Sequence, residues 1–185
     1  MKLNFLLALI PALLIGCSNS TTYTYHQKST SLKKGSTHYF VKDPIVNLTL
    51  GHGAIVGDNT FVSQEVLAEQ FKSSLIENFS NSKIYAANEA EADAVVEVKI
   101  NYLRTFNYGG KALNKPQFDY QVLIKKDNNL LADYAVARQT TTYGAVKDVA
   151  VNMKISAFQW GAEDEQQDVA LIAKTIAKEV AKIGK

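Results

Sequence analysis

Three histidines, a single cysteine and a run of three acids are the first residues here whose types could support chemistry. Gly51-x-Gly53-x-x-x-Gly57 adds a glycine-rich stretch between an expected strand and an expected helix, the place where a dinucleotide phosphate would be cradled. Its spacing is one residue longer than that fingerprint, the helix starts six residues after Gly57, and no acid ends a second parallel strand. The stretch therefore reads as a loop. His26, His38 and His52 have no Cys, Asp or Glu at ligand spacing, so no metal site is expected. Nucleophilic catalysis needs a base beside a Ser or Cys, and no Gly-x-Ser-x-Gly elbow occurs. Glu163-Asp164-Glu165 could be paired carboxylates, but a helix N-terminus accounts for them because the macrodipole favours negative charge there. No catalytic residue and no cofactor follow from this inventory, and an enzyme is not expected.

Aromatic residues offer a different kind of site. Phe106, Tyr108, Phe118, Tyr120, Tyr143, Phe158 and Trp160 gather around one expected hairpin end and the segment after it. Most such rings fill a core or cover a sheet face. Tyr108, Tyr143, Phe158 and Trp160, if exposed together, would form an apolar patch of the kind that marks a partner or ligand surface. The Asn107-Tyr108-Gly109-Gly110 loop beside them can adapt to what it meets.

The N-terminus carries the most informative signal. Lys2 supplies a positive charge, and Phe5 to Ile15 form an apolar run interrupted by Pro11. That run falls short of the about 20 residues needed to span a bilayer, so residues 1–16 read as a signal peptide. Leu14-Ile15-Gly16-Cys17 resembles the lipobox of bacterial lipoprotein precursors. The resemblance implies a diacylglycerol thioether on Cys17, cleavage before it, and acylation (palmitate included) of the new N-terminus. Each buried acyl CH₂ contributes about 0.8 kcal/mol, and stable attachment takes two or more chains, which a triacylated cysteine supplies. Ser18 follows the cysteine where some lipoproteins carry Asp; by resemblance to enterobacterial lipoproteins, this implies the outer membrane, with the domain facing the periplasm.

The chain has 185 residues and a formal charge of +2, of which Lys2 leaves with the signal peptide. Near neutrality argues against nucleic acid and against a polybasic membrane surface. With one cysteine, no intramolecular disulfide can form, and stability must come from a core. Ser18 to Thr37 contains ten Ser or Thr residues and few aliphatics, so residues 17–37 are expected to be a lipidated, flexible tether that lets the domain stand off the lipid. Residues 38–185 are expected to form a single periplasmic domain.

Periodicity supplies the elements of that domain. A strand is expected over Tyr39 to Leu50, with Pro44 an edge position or a break. Ser63 caps a helix whose Leu67, Phe71, Leu75 and Phe79 share one face. Asp93 to Phe106 alternates cleanly, Phe118 to Lys126 repeats the pattern, and Asp127-Asn128-Asn129 turns the chain into a partner strand over Leu130 to Thr142. In Gly144 to Gly161, Val149, Val151, Met153 and Ile155 alternate, which suggests a loop with a short strand. A last helix opens on Glu163 and carries Val169, Ile172, Ile176, Val180 and Ile183 in a stripe. The order β-α-β-β-β-α predicts an α+β two-layer sandwich: a mostly antiparallel sheet with two amphipathic helices on one face.

Lipobox, polar tether, this element order and the Asp93-Ala94-Val95-Val96-Glu97-Val98 strand after a long amphipathic helix resemble the YajG-type family of small bacterial outer-membrane lipoproteins. The resemblance covers Tyr39 to Ile183 and implies fold and location, with no catalytic site to carry over. Phe158-Gln159-Trp160 and the surrounding Gly144 to Gly161 depart from that layout. The expectation is a lipid-anchored, non-catalytic envelope lipoprotein, a protein-binding or accessory component on the periplasmic side of the outer membrane. Its partners would be the membrane, through acylated Cys17, and an envelope protein. The alternative is a carrier holding lipid or another amphiphile in an apolar groove of the domain.

Overall fold

A computed structural model describes residues 22–28 and 31–185. Eight strands and three helices follow in the order β1 (Tyr23–Lys28), β2 (Tyr39–Val41), β3 (Ile45–Leu50), α1 (Gln64–Asn81), β4 (Ala94–Arg104), β5 (Phe106–Asn107), β6 (Ala112–Leu113), β7 (Gln117–Lys126), β8 (Asn129–Thr140), α2 (Ala145–Ser156) and α3 (Ala162–Val180). The main sheet runs β1-β8-β7-β4-β2, and β3 continues along β4 beyond β2. The β1–β8, β8–β7 and β7–β4 pairs are antiparallel, whereas β2 and β3 lie parallel to β4. The sheet is thus mostly antiparallel, as expected. The single strand expected over Tyr39 to Leu50 is two, divided where Pro44 has no N–H to give.

β4 shows how sequence becomes layer. Ala94, Val96, Val98, Ile100 and Tyr102 alternate inward and are buried. Val122 and Tyr120 of β7 lie opposite Val98 and Ile100. Leu67, Phe71, Leu75 and Phe79 of α1 and Val169, Ile172, Ile176 and Val180 of α3 close over that face. Burying each such side chain contributes about 1.5–3 kcal/mol, so the layer between helices and sheet dominates stability. Ser63 caps α1, its Oγ accepting from the Val66 N–H, and Asp164 caps α3, its carboxylate accepting from the Gly161 N–H at 3.1 Å.

Two expectations are corrected. The tether expected over residues 17–37 does not run through all of them, because Tyr23–Lys28 is a sheet strand paired with β8. Tyr23 and Tyr25 recur two apart among Thr and His, and both rings pack against Tyr134, at 5.8 and 5.7 Å between centroids. Tyrosines supplied the burial that the scarcity of aliphatics seemed to deny. Residues 31–37 are also built in: Leu32 is buried, and its carbonyl accepts from the Lys185 N–H while Lys34 N–H donates to the Lys185 carbonyl. Gly184 sits at φ +108°, and a Cβ there would come 2.3 Å from the Leu32 carbonyl oxygen, so only glycine fits.

The second correction concerns residues 144–161, which hold the α2 helix and no strand. β8 already has β1 on one side and β7 on the other, so the alternating run that follows it cannot pair with β8 as the next strand of a meander. Coiled as a helix, the run turns Val151 and Ile155, four apart, onto Phe106, Leu113 and Trp160.

Candidate functional site

β3, β4 and β8 all finish at one end of the sheet, and the α2 helix, the β5–β6 hairpin and the loop 51–63 cover that end. Arg104, the last residue of β4, keeps the inward phase of the strand and is buried where a lone charge would be costly. Its guanidinium is met in full: Nε and Nη2 donate to the two carboxylate oxygens of Glu165 at 2.7 and 2.9 Å, and Nη1 donates to the Val62 carbonyl at 3.0 Å. One turn later on α3, the carboxylate of Asp168 accepts from Thr141 Oγ1, from the Tyr143 hydroxyl at 2.7 Å and from Trp160 Nε1 at 3.3 Å. Asp148 of α2 accepts from Lys115 Nζ at 2.6 Å and from the Tyr143 N–H at 3.1 Å.

Burial pushes Asp168 above the ordinary carboxylate range despite its three donors, and it pushes Glu165 up despite Arg104. Burial and the Asp168 charge together raise the Tyr143 phenol far above its usual value. Asp168 is 1% exposed, and its oxygens are engaged by three donors from two segments, Thr141 and Tyr143 after β8 and Trp160 before α3. Such an arrangement can lock the end of β8, the start of α2 and α3 to one another.

The aromatic patch expected from Tyr108, Tyr143, Phe158 and Trp160 divides in two. Trp160 is buried and Tyr143 half-buried, their rings edge to face at 6.2 Å around Asp168. Tyr108 and Phe158 are 61% and 46% exposed and stack at 4.7 Å with an interplanar angle of 25°. Lys111 Nζ lies 5.6 Å from the Tyr108 ring. Other apolar side chains stand exposed at the same end without having been singled out: Ile55 and Val56 in the loop, Val146, Val149 and Met153 on the outer face of α2. The signal for the last three was their i, i+3, i+7 spacing, which shares a helix face but says nothing about whether that face is covered.

The other candidates find structural places. A Cβ on Gly53, at φ +81°, would sit 2.8 Å from the Phe106 carbonyl oxygen, so this glycine lets the loop lie against the hairpin. Of the three acids, Asp164 caps α3, Glu165 pairs with Arg104, and Glu163 is exposed. His38 lies 3.7 Å from Asp93 at the opposite end of the sheet, and His26 is exposed on β1. Among the described residues no group of three His, Cys, Asp or Glu could hold a metal ion. Cys17 and residues 1–16, expected to be a signal peptide, lie outside the described residues. Between the helices and the sheet, where a carrier would need its groove, Phe71, Leu75, Ile100, Val122 and Ile176 are fully buried and fill the layer. A hollow of about 350 Å³ lies on the outer face instead, lined by Lys42, Ile45, Lys99 and Leu123 among others.

No protein-family model matches this chain, and no curated protein does. Solved structures resemble it at low identity. A PelC dodecamer from Paraburkholderia phytofirmans is 9% identical with a TM-score of 0.42, over 90% of this chain and 100% of that one. A putative neuraminyllactose-binding hemagglutinin homolog from Helicobacter pylori is 10% identical with a TM-score of 0.40, over 84% and 88%. A DUF4136 family protein from Bacteroides thetaiotaomicron is 12% identical with a TM-score of 0.31, over 82% and 97%. Likeness this distant carries no argument about function.

Proposed function

We propose that this chain is a lipid-anchored, non-catalytic envelope lipoprotein, a protein-binding or accessory component on the periplasmic side of the outer membrane. The observation that carries this reading is Leu14-Ile15-Gly16-Cys17, with the chain's one cysteine at the end of a short apolar run that follows Lys2. Residues 1–16 act as the signal peptide, Cys17 takes the acyl chains, and residues 18–22 are the remaining leash. The YajG-type layout accords with this place in the cell.

Two further observations support the reading. No helix among the described residues is long and apolar enough to cross a membrane, which is compatible with attachment through Cys17. The buried acids Glu165 and Asp168 at the α2 end are engaged by Arg104, Thr141, Tyr143 and Trp160, while Tyr108 and Phe158 present apolar surface outward. A domain built this way acts by contact.

Mass spectrometry of protein purified from membranes is expected to find a mature chain starting at an acylated Cys17, and Cys17→Ser to leave the acyl mass absent and the domain released from membranes. A mature chain starting elsewhere would refute the anchor. Crosslinking in intact envelopes is expected to trap a defined envelope protein; recovery of nothing beyond the chain itself would refute the partner.

A further inference from the structure

Twelve large apolar side chains are exposed among the described residues, and eight of them (Leu50, Ile55, Val56, Tyr108, Val146, Val149, Met153 and Phe158) lie at the α2 end of the sheet. The opposite end, around the 3₁₀ turn Glu89–Glu91, Asp93 and the Asp127–Asn128 turn, exposes acids, amides and the lysines Lys33, Lys34 and Lys126, with Leu130 its one large apolar side chain in that group. Scattered exposed apolar residues are ordinary; a concentration at one end calls for something to cover it.

The path of the N-terminal segment indicates what covers it. β1 is antiparallel to β8 and Tyr23 lies beside Val136, so the chain preceding Tyr23 leaves toward the end where β8 finishes. Cys17 is six residues before Tyr23, a distance the chain spans with at most about 20 Å. β8 itself runs on from Val136 to Thr140, roughly 13 Å in the same direction. Along the strand axis an acylated Cys17 therefore reaches at most about 7 Å beyond the level of Thr140, where α2 and the hairpin rise. A leash so short gives the α2 end little room to stand clear of the lipid.

The chemistry of this end suits a lipid interface. α2 turns Val146, Val149 and Met153 outward, and its lysines stand beside them, Lys147 over the Tyr143 ring at 4.6 Å and Lys154 over the Trp160 ring at 5.5 Å. Its one acid, Asp148, is neutralised by Lys115. Apolar and aromatic groups flanked by lysines are what a helix lying among headgroups presents.

We propose that the α2 end lies on the membrane surface to which Cys17 is tied, with Val56, Tyr108, Phe158, Val146, Val149 and Met153 in the headgroup region, so that the domain has one fixed orientation. The proposal rests on the lipoprotein reading above and adds the contact surface. The test uses the full acylated protein in vesicles of phosphatidylethanolamine and phosphatidylglycerol, with an environment-sensitive nitrobenzoxadiazole probe on Val56→Cys, Met153→Cys or, at the far end, Asn128→Cys. Quenching by spin-labelled lipid is expected to be several-fold stronger at positions 56 and 153 than at 128, with blue-shifted emission. Equal quenching at all three positions in protein whose Cys17 carries the acyl mass overturns the orientation and leaves the anchor standing. Cys17 without acyl mass overturns the anchor reading and this proposal with it. A blue shift at 153 that follows protein concentration and ignores lipid assigns the face to a second copy of the chain, and overturns the proposal as well.

Discussion

Between the sheet and the α1–α3 pair, Phe71, Leu75, Val96, Ile100, Val122 and Ile172 are at most 1% exposed, and their side chains carry no polar atom. At the α2 end, Phe106, Leu113, Val151 and Trp160 form a smaller cluster, with Phe61, Tyr143 and Ile155 packed against it. Here the packing depends on charge as well, through Arg104, Glu165 and Asp168. The first region holds by area removed from water and tolerates no cavity. The second has too few apolar side chains to hold α2 by area alone, so hydrogen bonds to buried acids complete it. Apolar burial is non-directional, whereas a three-donor carboxylate fixes three segments at defined distances.

The largest effect expected on either side of this contrast is Phe71→Ala. Its ring packs edge to face on Tyr102 at 6.0 Å, and its loss should cost about 4 kcal/mol in a urea unfolding curve that stays cooperative. Glu165→Ala should cost about 3 kcal/mol by leaving Arg104 buried and unpaired, and the double variant Arg104→Met with Glu165→Leu should recover most of that loss. If the double variant is as unstable as the single, the charge pair is not what matters there. Trp160→Phe removes one donor to Asp168 and should cost about 1 kcal/mol. Hydrogen exchange over residues 145–158 should then quicken while that of β4 and β7 stays as it was, which would show that the α2 end opens separately from the main layer.

The pH dependence sharpens the same comparison. Burial holds Asp168 above the ordinary carboxylate range in the folded state, so the native protein binds more protons than the unfolded chain between the two values. The stability this group contributes is full below the ordinary value and is lost as pH rises through the raised one. The stability difference between the native protein and Asp168→Asn, read from urea midpoints, should therefore shrink from acidic toward neutral pH. Glu97, on the outer face of the sheet, behaves oppositely: Lys125 and Lys42 outweigh its partial burial and lower it, so its contribution is lost as pH falls. The smallest effect belongs to Phe158→Asn, which should leave folding stability within about 0.5 kcal/mol because the ring is largely outside the packing.

Much of the fold was legible because the relevant patterns are local. The stripe of α1, the alternation of β4 and β7, and the turn at Asp127–Asn128 each repeat within a few residues, and the structure places them as read. β1 was missed because its burial comes from Tyr23 and Tyr25 against Tyr134, a contact between segments more than a hundred residues apart. The buried acids left a trace that was overlooked. Glu165 and Asp168 lie four residues before Val169 and Ile172, in phase with the stripe of α3, and Arg104 keeps the phase of β4. Charges in apolar phase on two elements mark a buried pair. Of the four expected patch residues, only the structure separates exposed Tyr108 and Phe158 from Trp160 and Tyr143, since aromatic type is the same in either place.

Side-chain spacing alone determined which faces of α1, α3, β4 and β7 turn inward, because helix and strand periods are set by the backbone and need no knowledge of the rest of the chain. The end of the sheet at which β1 starts, the end that collects the uncovered apolar groups, and the coiling of 145–156 once β8 is flanked by β1 and β7 were decided by the pairing of β1, β7 and β8. Pairing is a competition among distant segments for the same hydrogen bonds and the same buried area, and only the assembled chain contains its result.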